Sequence, residues 1–130
     1  PFMTLLCEKG YEVIVETSGS LDISRTDPRV KRIMDLKCPG SGMAARNRYK
    51  NIESLRPDDE IKFVIKDRHD YEWVKQTIEK YRLNTVCPVL LSPVFDVLDT
   101  VELAQWMLDD GVRARLQVQL HKYIFYHSSL

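Results

Sequence analysis

Ile33-Met34-Asp35-Leu36-Lys37-Cys38-Pro39-Gly40-Ser41-Gly42 is the stretch on which the reading of this chain turns. A strand from Arg32 to Leu36 passes directly into a loop of Pro, Gly and Ser, the pattern of a buried strand ending in a turn. Asp35 and Lys37 stand two residues apart at that end. Side chains at this spacing on a strand share a face, so a carboxylate and an ammonium group can address one ligand together. Two further strands end in polar clusters. Tyr11 to Glu16 runs into Thr17-Ser18-Gly19-Ser20, and Val86 to Leu91 runs into Ser92-Pro93. Several strands therefore deliver polar groups to one rim.

Outward from this stretch the chain alternates strands with helices or loops. Phe2 to Lys9 reads as helical turns closed by Gly10, and Tyr11 to Val15 as a strand rich in β-branched residues. Asp22 to Arg32, broken by Pro28, reads as a loop or short helix. Cys38 to Asp59 is polar, with a short helix around Asn51 to Leu55. Glu60 to Ile65 alternates, with Ile61, Phe63 and Ile65 on one face and Lys62 and Val64 on the other. Asp70 to Leu83 carries Tyr71, Val74, Ile78 and Tyr81 at helical spacing. Val86 to Leu91 is nearly all apolar, as in a strand covered on both faces. A helix starts near Asp99 and runs to about Asp110, where Gly111 ends it, and Arg115 to Leu120 reads as a last strand. The fold class implied is α/β with mainly parallel strands, in a single domain spanning 1–130.

Composition narrows the function. At 130 residues, 44% of them hydrophobic, the chain has enough apolar material for one core. Nineteen basic residues balance nineteen acidic ones, so no bulk field draws nucleic acid or anionic lipid. No apolar run approaches the roughly 18 residues of a membrane helix, and a cytoplasmic protein is the expectation. Cys7, Cys38 and Cys87 are odd in number and far apart, which fits a reducing compartment. Without closely spaced thiolates, a zinc or iron–sulfur site held by this chain alone is not expected.

Parallel sheets and barrels bind ligands at the carboxyl ends of their strands. The candidate site is accordingly Glu16, Thr17, Ser18, Asp35, Lys37, Lys62 and Ser92, with Gln119 and His121. The set offers carboxylates for an ammonium group or a sugar diol, lysines for a carboxylate, and hydroxyls for orientation, which suits a zwitterion bearing a ribose. Singly, each is the solvated or capping group that polar residues usually are; their common place at strand ends is what unites them.

Five strings in order, Glu16-Thr17-Ser18-Gly19-Ser20-Leu21-Asp22, Met34 to Gly42, Glu60 to Ile65, Asp70-Tyr71-Glu72-Trp73 and Gln119-Leu120-His121-Lys122-Tyr123, closely resemble the C-terminal part of 7-carboxy-7-deazaguanine synthases. The resemblance implies a partial (β/α) barrel, the C-terminal portion of a radical S-adenosyl-L-methionine core. It also implies a lyase of queuosine and deazapurine biosynthesis that ring-contracts 6-carboxy-5,6,7,8-tetrahydropterin with a 4Fe-4S cluster and Mg2+. By position, Asp35-Leu36-Lys37 and Ser92-Pro93-Val94-Phe95 match segments that contact S-adenosylmethionine in the family, and Glu16, Thr17 and Ser18 lie at the same rim. Lys37 would pair with the cofactor carboxylate, and Val94 and Phe95 would wall the adenine. The family's CxxxCxxC loop and GGEP segment have no counterpart here, so the chain resembles the family from its third strand onward. No metal ligand is assigned, and the chain alone is expected to hold no cluster and to lack turnover.

Other classes give other expectations. A desolvated Lys37 or Lys62 could form a Schiff base as in aldolases. A glycyl-radical activating enzyme shares the shorter motifs, and a non-catalytic ligand-binding module would share the rim. The apolar strand from Tyr11 to Glu16, placed at a sheet edge, leads us to expect a homodimer or strand addition.

Overall fold

The structure, a computed structural model, describes residues 2–118. Its frame is a sheet of five strands, β1 (Ile14–Ser18), β2 (Lys31–Leu36), β3 (Glu60–Ile65), β4 (Val89–Pro93) and β5 (Arg115–Leu116). All four pairings are parallel and the order in space, β1-β2-β3-β4-β5, is the order in sequence. Parallel neighbours need crossovers of one hand, and these put the connections on one side of the sheet. Helix α1 (Phe2–Glu8) precedes the sheet, α2 (Arg68–Lys80) links β3 to β4, and α3 (Thr100–Asp110) links β4 to β5.

Alternation along the strands sorts residues between two faces. In β2 and β3 the fully buried positions are Arg32, Met34 and Leu36, and Ile61, Phe63 and Ile65. These apolar side chains join Val89 and Leu91 of β4, Tyr71, Val74 and Ile78 of α2, and Leu103 and Met107 of α3 in one core. Leu90, although buried, is absent from that core, because its alignment with Lys62 turns it to the other face. All five residues of β4 are buried, as its unbroken apolar run predicts.

Differences from the sequence reading lie at element ends. The strand expected at Val86 begins at Val89, because Val86 and Cys87 spend their N–H groups on the carbonyl of Leu83 and Pro88 has none to give. Pro88 still accepts from the N–H of Ile61, which starts the ladder (3.0 Å). The expected helix from Asp70 starts at Arg68, since Asp67 is its N-cap and accepts from the N–H of Asp70 at 2.9 Å. Its expected continuation to Leu83 stops at Lys80, with Arg82 in the left-handed region at φ 51°. The strand expected from Tyr11 starts at Ile14, and the polar region after β2 forms three short 3-10 segments, Pro39–Ser41, Ala44–Arg46 and Tyr49–Ser54. The last expected strand is observed at Arg115–Leu116, with the N–H of Gln117 still bonded to Leu91; its residues from Gln119 onward lie outside the described residues. Among the described residues, no helix is long and apolar enough to cross a membrane.

At the amino end of β2, Arg32 and Asp59 form an ion pair with side chains 1% and 0% exposed. The Asp59 carboxylate takes the Arg32 guanidinium at 2.8 Å and 3.2 Å, the Arg32 N–H at 2.9 Å and the Arg56 N–H at 2.8 Å. Arg32 also donates to the carbonyls of Ile23 and Ser54. One guanidinium thus fastens both irregular connections to the sheet.

Candidate functional site

The face opposite the core is mainly polar, with Ile14, Ile33, Val64 and Leu90 interspersed among charged and hydroxyl side chains. In register it carries Glu16 and Ser18 of β1, Lys31 and Asp35 of β2, Glu60 and Lys62 of β3, Ser92 of β4 and Arg115 of β5. Glu60 accepts from Lys31 (3.1 Å) and Arg115 (2.8 Å), tying three strands near their amino ends. Burial pushes the Glu60 carboxyl upward, but the two cations outweigh it and hold the group below its ordinary value. Towards the carboxyl ends, Lys37 donates to Asp35 Oδ2 at 2.8 Å, and Lys62 lies 3.9 Å from Glu16.

Two polar atoms on this face are buried without a hydrogen-bond partner: Asp35 Oδ1 and Ser92 Oγ. Native structures seldom leave such atoms unpaired, and a water, an ion or a ligand ordinarily completes them. Asp35 aligns with Lys62, and Ser92 aligns with Val64 two residues further along β3. Both orphans therefore belong to one side of three adjacent strands.

Of the candidate residues named from sequence, Glu16, Ser18, Asp35, Lys62 and Ser92 are brought together on this face, with Lys37 reaching back to Asp35. Thr17, aligned with Met34, faces the other way, and Leu36 is buried in the core. Pro93 aligns with Ile65 and also turns to the core side. These three have only main-chain groups to offer the polar face. Val94 donates its N–H to Ile65 at 2.8 Å, so Val94 and Phe95 continue from β4 into the loop above it. Gln119 and His121 lie outside the described residues.

Sequence reading missed the groups that hold the rim. The Asn47 amide accepts from the N–H of Lys37 and donates to its carbonyl, both at 2.9 Å, imitating a neighbouring strand where β2 has ended. Asp70, 1% exposed, accepts from the N–H of Gly40 at 2.7 Å and of Lys66 at 3.1 Å, joining the loops after β2 and β3. A Cβ on Gly40 would lie 2.5 Å from Asp70 Oδ2, so any other residue there must displace that carboxylate. Gly19 is similarly enclosed: its N–H donates to the Asp35 carbonyl (2.8 Å), and a Cβ there would meet Leu36 at 2.8 Å. The buried Asn51 amide donates to the carbonyls of Gly19 and Leu21, and its oxygen accepts from Arg48 at 2.7 Å. The glycines were visible in sequence; the asparagines and Asp70 act across 10 to 32 residues, which spacing does not reveal.

Asp67, His69 and Asp70 place ligand atoms within 4.8 Å of one another. One Asp67 oxygen caps α2 and both Asp70 oxygens accept backbone N–H groups of the loops after β2 and β3, which accounts for the cluster structurally. The thiols of Cys38 and Cys87 are buried, and burial pushes that of Cys87 up to about 12 and that of Cys38 higher, so neither is a ready thiolate. Cavities of about 600 and 570 Å3 lie at the opposite end of the sheet, around Cys87, Pro88 and Val89 and between Ile78 and Val112. They share Asn84, Thr85 and Arg113 and touch none of the rim residues.

Curated relatives show what the chain as a whole is similar to. Over 96% of its length the chain is 39% identical to 7-carboxy-7-deazaguanine synthase of Koribacter versatilis, covering 61% of that protein. The chain is a homologue of the 7-carboxy-7-deazaguanine synthases. The synthase of Chlorobaculum tepidum is 37% identical over 95% of the chain, and that of Leptospira interrogans is 43% identical over 85%. The chain spans about half to three fifths of the length of these synthases. No family model and no solved structure matches it.

Proposed function

We propose that the carboxyl ends of β1, β2 and β4, with Asp35, Lys37 and Ser92, form the S-adenosylmethionine side of a 7-carboxy-7-deazaguanine synthase. The observation that carries this reading is the pair of buried, unpartnered atoms Asp35 Oδ1 and Ser92 Oγ beside the Asp35–Lys37 ion pair. An adenosylated amino acid supplies what they lack. Its ammonium or ribose hydroxyls are donors for Asp35, its carboxylate is an acceptor for Lys37, and Ser92 can take either role. Val94 and Phe95 follow directly after β4 and would flank the adenine.

Held by Asp35, Lys37 and Ser92, S-adenosylmethionine would supply the hydrogen abstraction from which ring contraction of a carboxylated tetrahydropterin begins. This chain's residues bind and orient. Asn47 fixes the backbone of Lys37, Gly19 packs against Asp35, and Asp70 holds the loop that follows. The three thiols of the chain do not fit a cluster, and the Asp67–His69–Asp70 group does not fit Mg2+, so no step is assigned to either through these residues. The barrel closure, the cytoplasmic location and the homodimer belong to the same proposal.

Calorimetric titration with S-adenosylmethionine tests it. The chain should bind the cofactor, and Asp35→Ala and Lys37→Ala should each weaken binding about tenfold or more, as expected for losing a charge-assisted hydrogen bond. Unchanged affinity in both variants, or no binding by the parent chain, would overturn the assignment.

A further inference from the structure

Lys62 is the most conspicuous group left over. It occupies the middle row of the polar face, aligned with Asp35 on one side and Leu90 on the other. Its side chain is only 12% exposed. Its charge partner, Glu16, stands 3.9 Å away, beyond hydrogen-bond range, and is itself 71% exposed. The other cations given to this face by register are better served. Lys31 and Arg115 each hydrogen-bond Glu60, and Lys37 hydrogen-bonds Asp35. Among the described residues, Lys62 is thus the cation of this face that is largely removed from water yet lacks a hydrogen-bonded acceptor.

An ammonium group has three donors and no acceptor, and one held out of water without acceptors pays for desolvation with nothing in return. The group that completes it is an anion. Asp35 and Ser92 beside it belong to the cofactor in the proposed reading. The missing partner of Lys62 therefore brings an anionic oxygen. Two sources offer this chemistry, the α-carboxylate of the cofactor and the ring carboxylate of a carboxylated deazapurine or pterin. Lys37 stands beyond the end of β2 with Asp35 already bound, whereas Lys62 lies further inside, on the central strand.

We infer that Lys62 is the specificity-determining residue for the ring carboxylate, distinguishing carboxylated from uncarboxylated heterocycles. This rests on the proposed synthase reading. No bond is made or broken by Lys62; it binds as ammonium to carboxylate.

The test compares 7-carboxy-7-deazaguanine with 7-deazaguanine as probes in equilibrium binding to the parent chain, Lys62→Met and Lys62→Arg, with S-adenosylmethionine titrated separately into each. The parent should prefer the carboxylated probe by about tenfold or more. Lys62→Met should abolish the preference and leave the cofactor's affinity within twofold, while Lys62→Arg should keep part of the preference. The Lys62 side chain makes no hydrogen bond among the described residues, so the methionine variant should stay folded, as far-ultraviolet circular dichroism would verify. A preference that survives in Lys62→Met overturns the inference. So does a tenfold loss of cofactor binding with the ring preference intact, which would assign Lys62 to the cofactor's carboxylate. A parent chain that binds the cofactor but shows no preference sinks the Lys62 inference and leaves the proposed function standing. Failure to bind the cofactor at all sinks both.

Discussion

At the scale of single residues, the least expected group is Arg32. In sequence it looks like the polar first residue of a strand; in the structure its guanidinium is as buried as any leucine. Asp59 makes this tolerable by meeting the charge and by accepting two backbone N–H groups as well. Removing one member of such a pair leaves a charge stranded, so Asp59→Ala should cost about 3–5 kcal/mol in urea denaturation. Burial alone would raise the Asp59 carboxyl, but the Arg32 guanidinium and the N–H groups of Arg56 and Arg32 outweigh it and hold the group below 3.8. A depressed carboxyl contributes its stabilisation fully above the unfolded value and loses it as pH falls through the folded one. Stability should therefore fall below about pH 4, and the fall should be shallower in Asp59→Asn, followed by thermal melting across pH 2 to 6. Asp35 was legible because strand parity places it, and Lys37, one residue past the end of β2, because it lies two residues from Asp35. Asp59 was not, since its partner is 27 residues away.

At the scale of elements, α2 shows how a helix terminus serves a rim. Asp67 caps it, and Asp70, in its first turn, spends its carboxylate on Gly40 and Lys66, not on the helix itself. Asp67→Ala should cost about 1 kcal/mol, an ordinary cap, read by denaturation. Gly40→Ala should cost about 1–3 kcal/mol, because its methyl group must displace the Asp70 carboxylate. It should also weaken cofactor binding if the loop after β2 lines that site. Helix α2 and strand β3 were readable from periodicity, since each buries one face in the core, and α3 from its start near Asp99 and its stop at Gly111. Residues 37–59 were not. Their 3-10 segments are held by the side chains of Asn47, Asn51 and Arg32, and local spacing carries no trace of such long-range hydrogen bonds.

At the scale of the molecule, the parallel sheet and its polar face follow from alternation, but which strand borders which does not. Sequence order and spatial order coincide here, and that puts β1 at an edge with Ile14 more than half exposed. Tyr11, Phe2 and Leu21 are exposed on the preceding and following segments. An uncovered apolar edge favours strand addition. Sedimentation velocity should show concentration-dependent association that Ile14→Lys diminishes; a parent chain that remains monomeric at high concentration would contradict this.

A sheet in which each strand borrows hydrogen bonds only from the strands before and after it in the chain is modular in a practical sense. Severing the backbone within a crossover breaks no ladder, because the two new termini lie off the sheet. Two polypeptides that meet at such a cut share a single seam, one strand wide. Co-expressed halves of this topology are accordingly good candidates for reassembly in trans, with the connection after α2 a natural place to divide them.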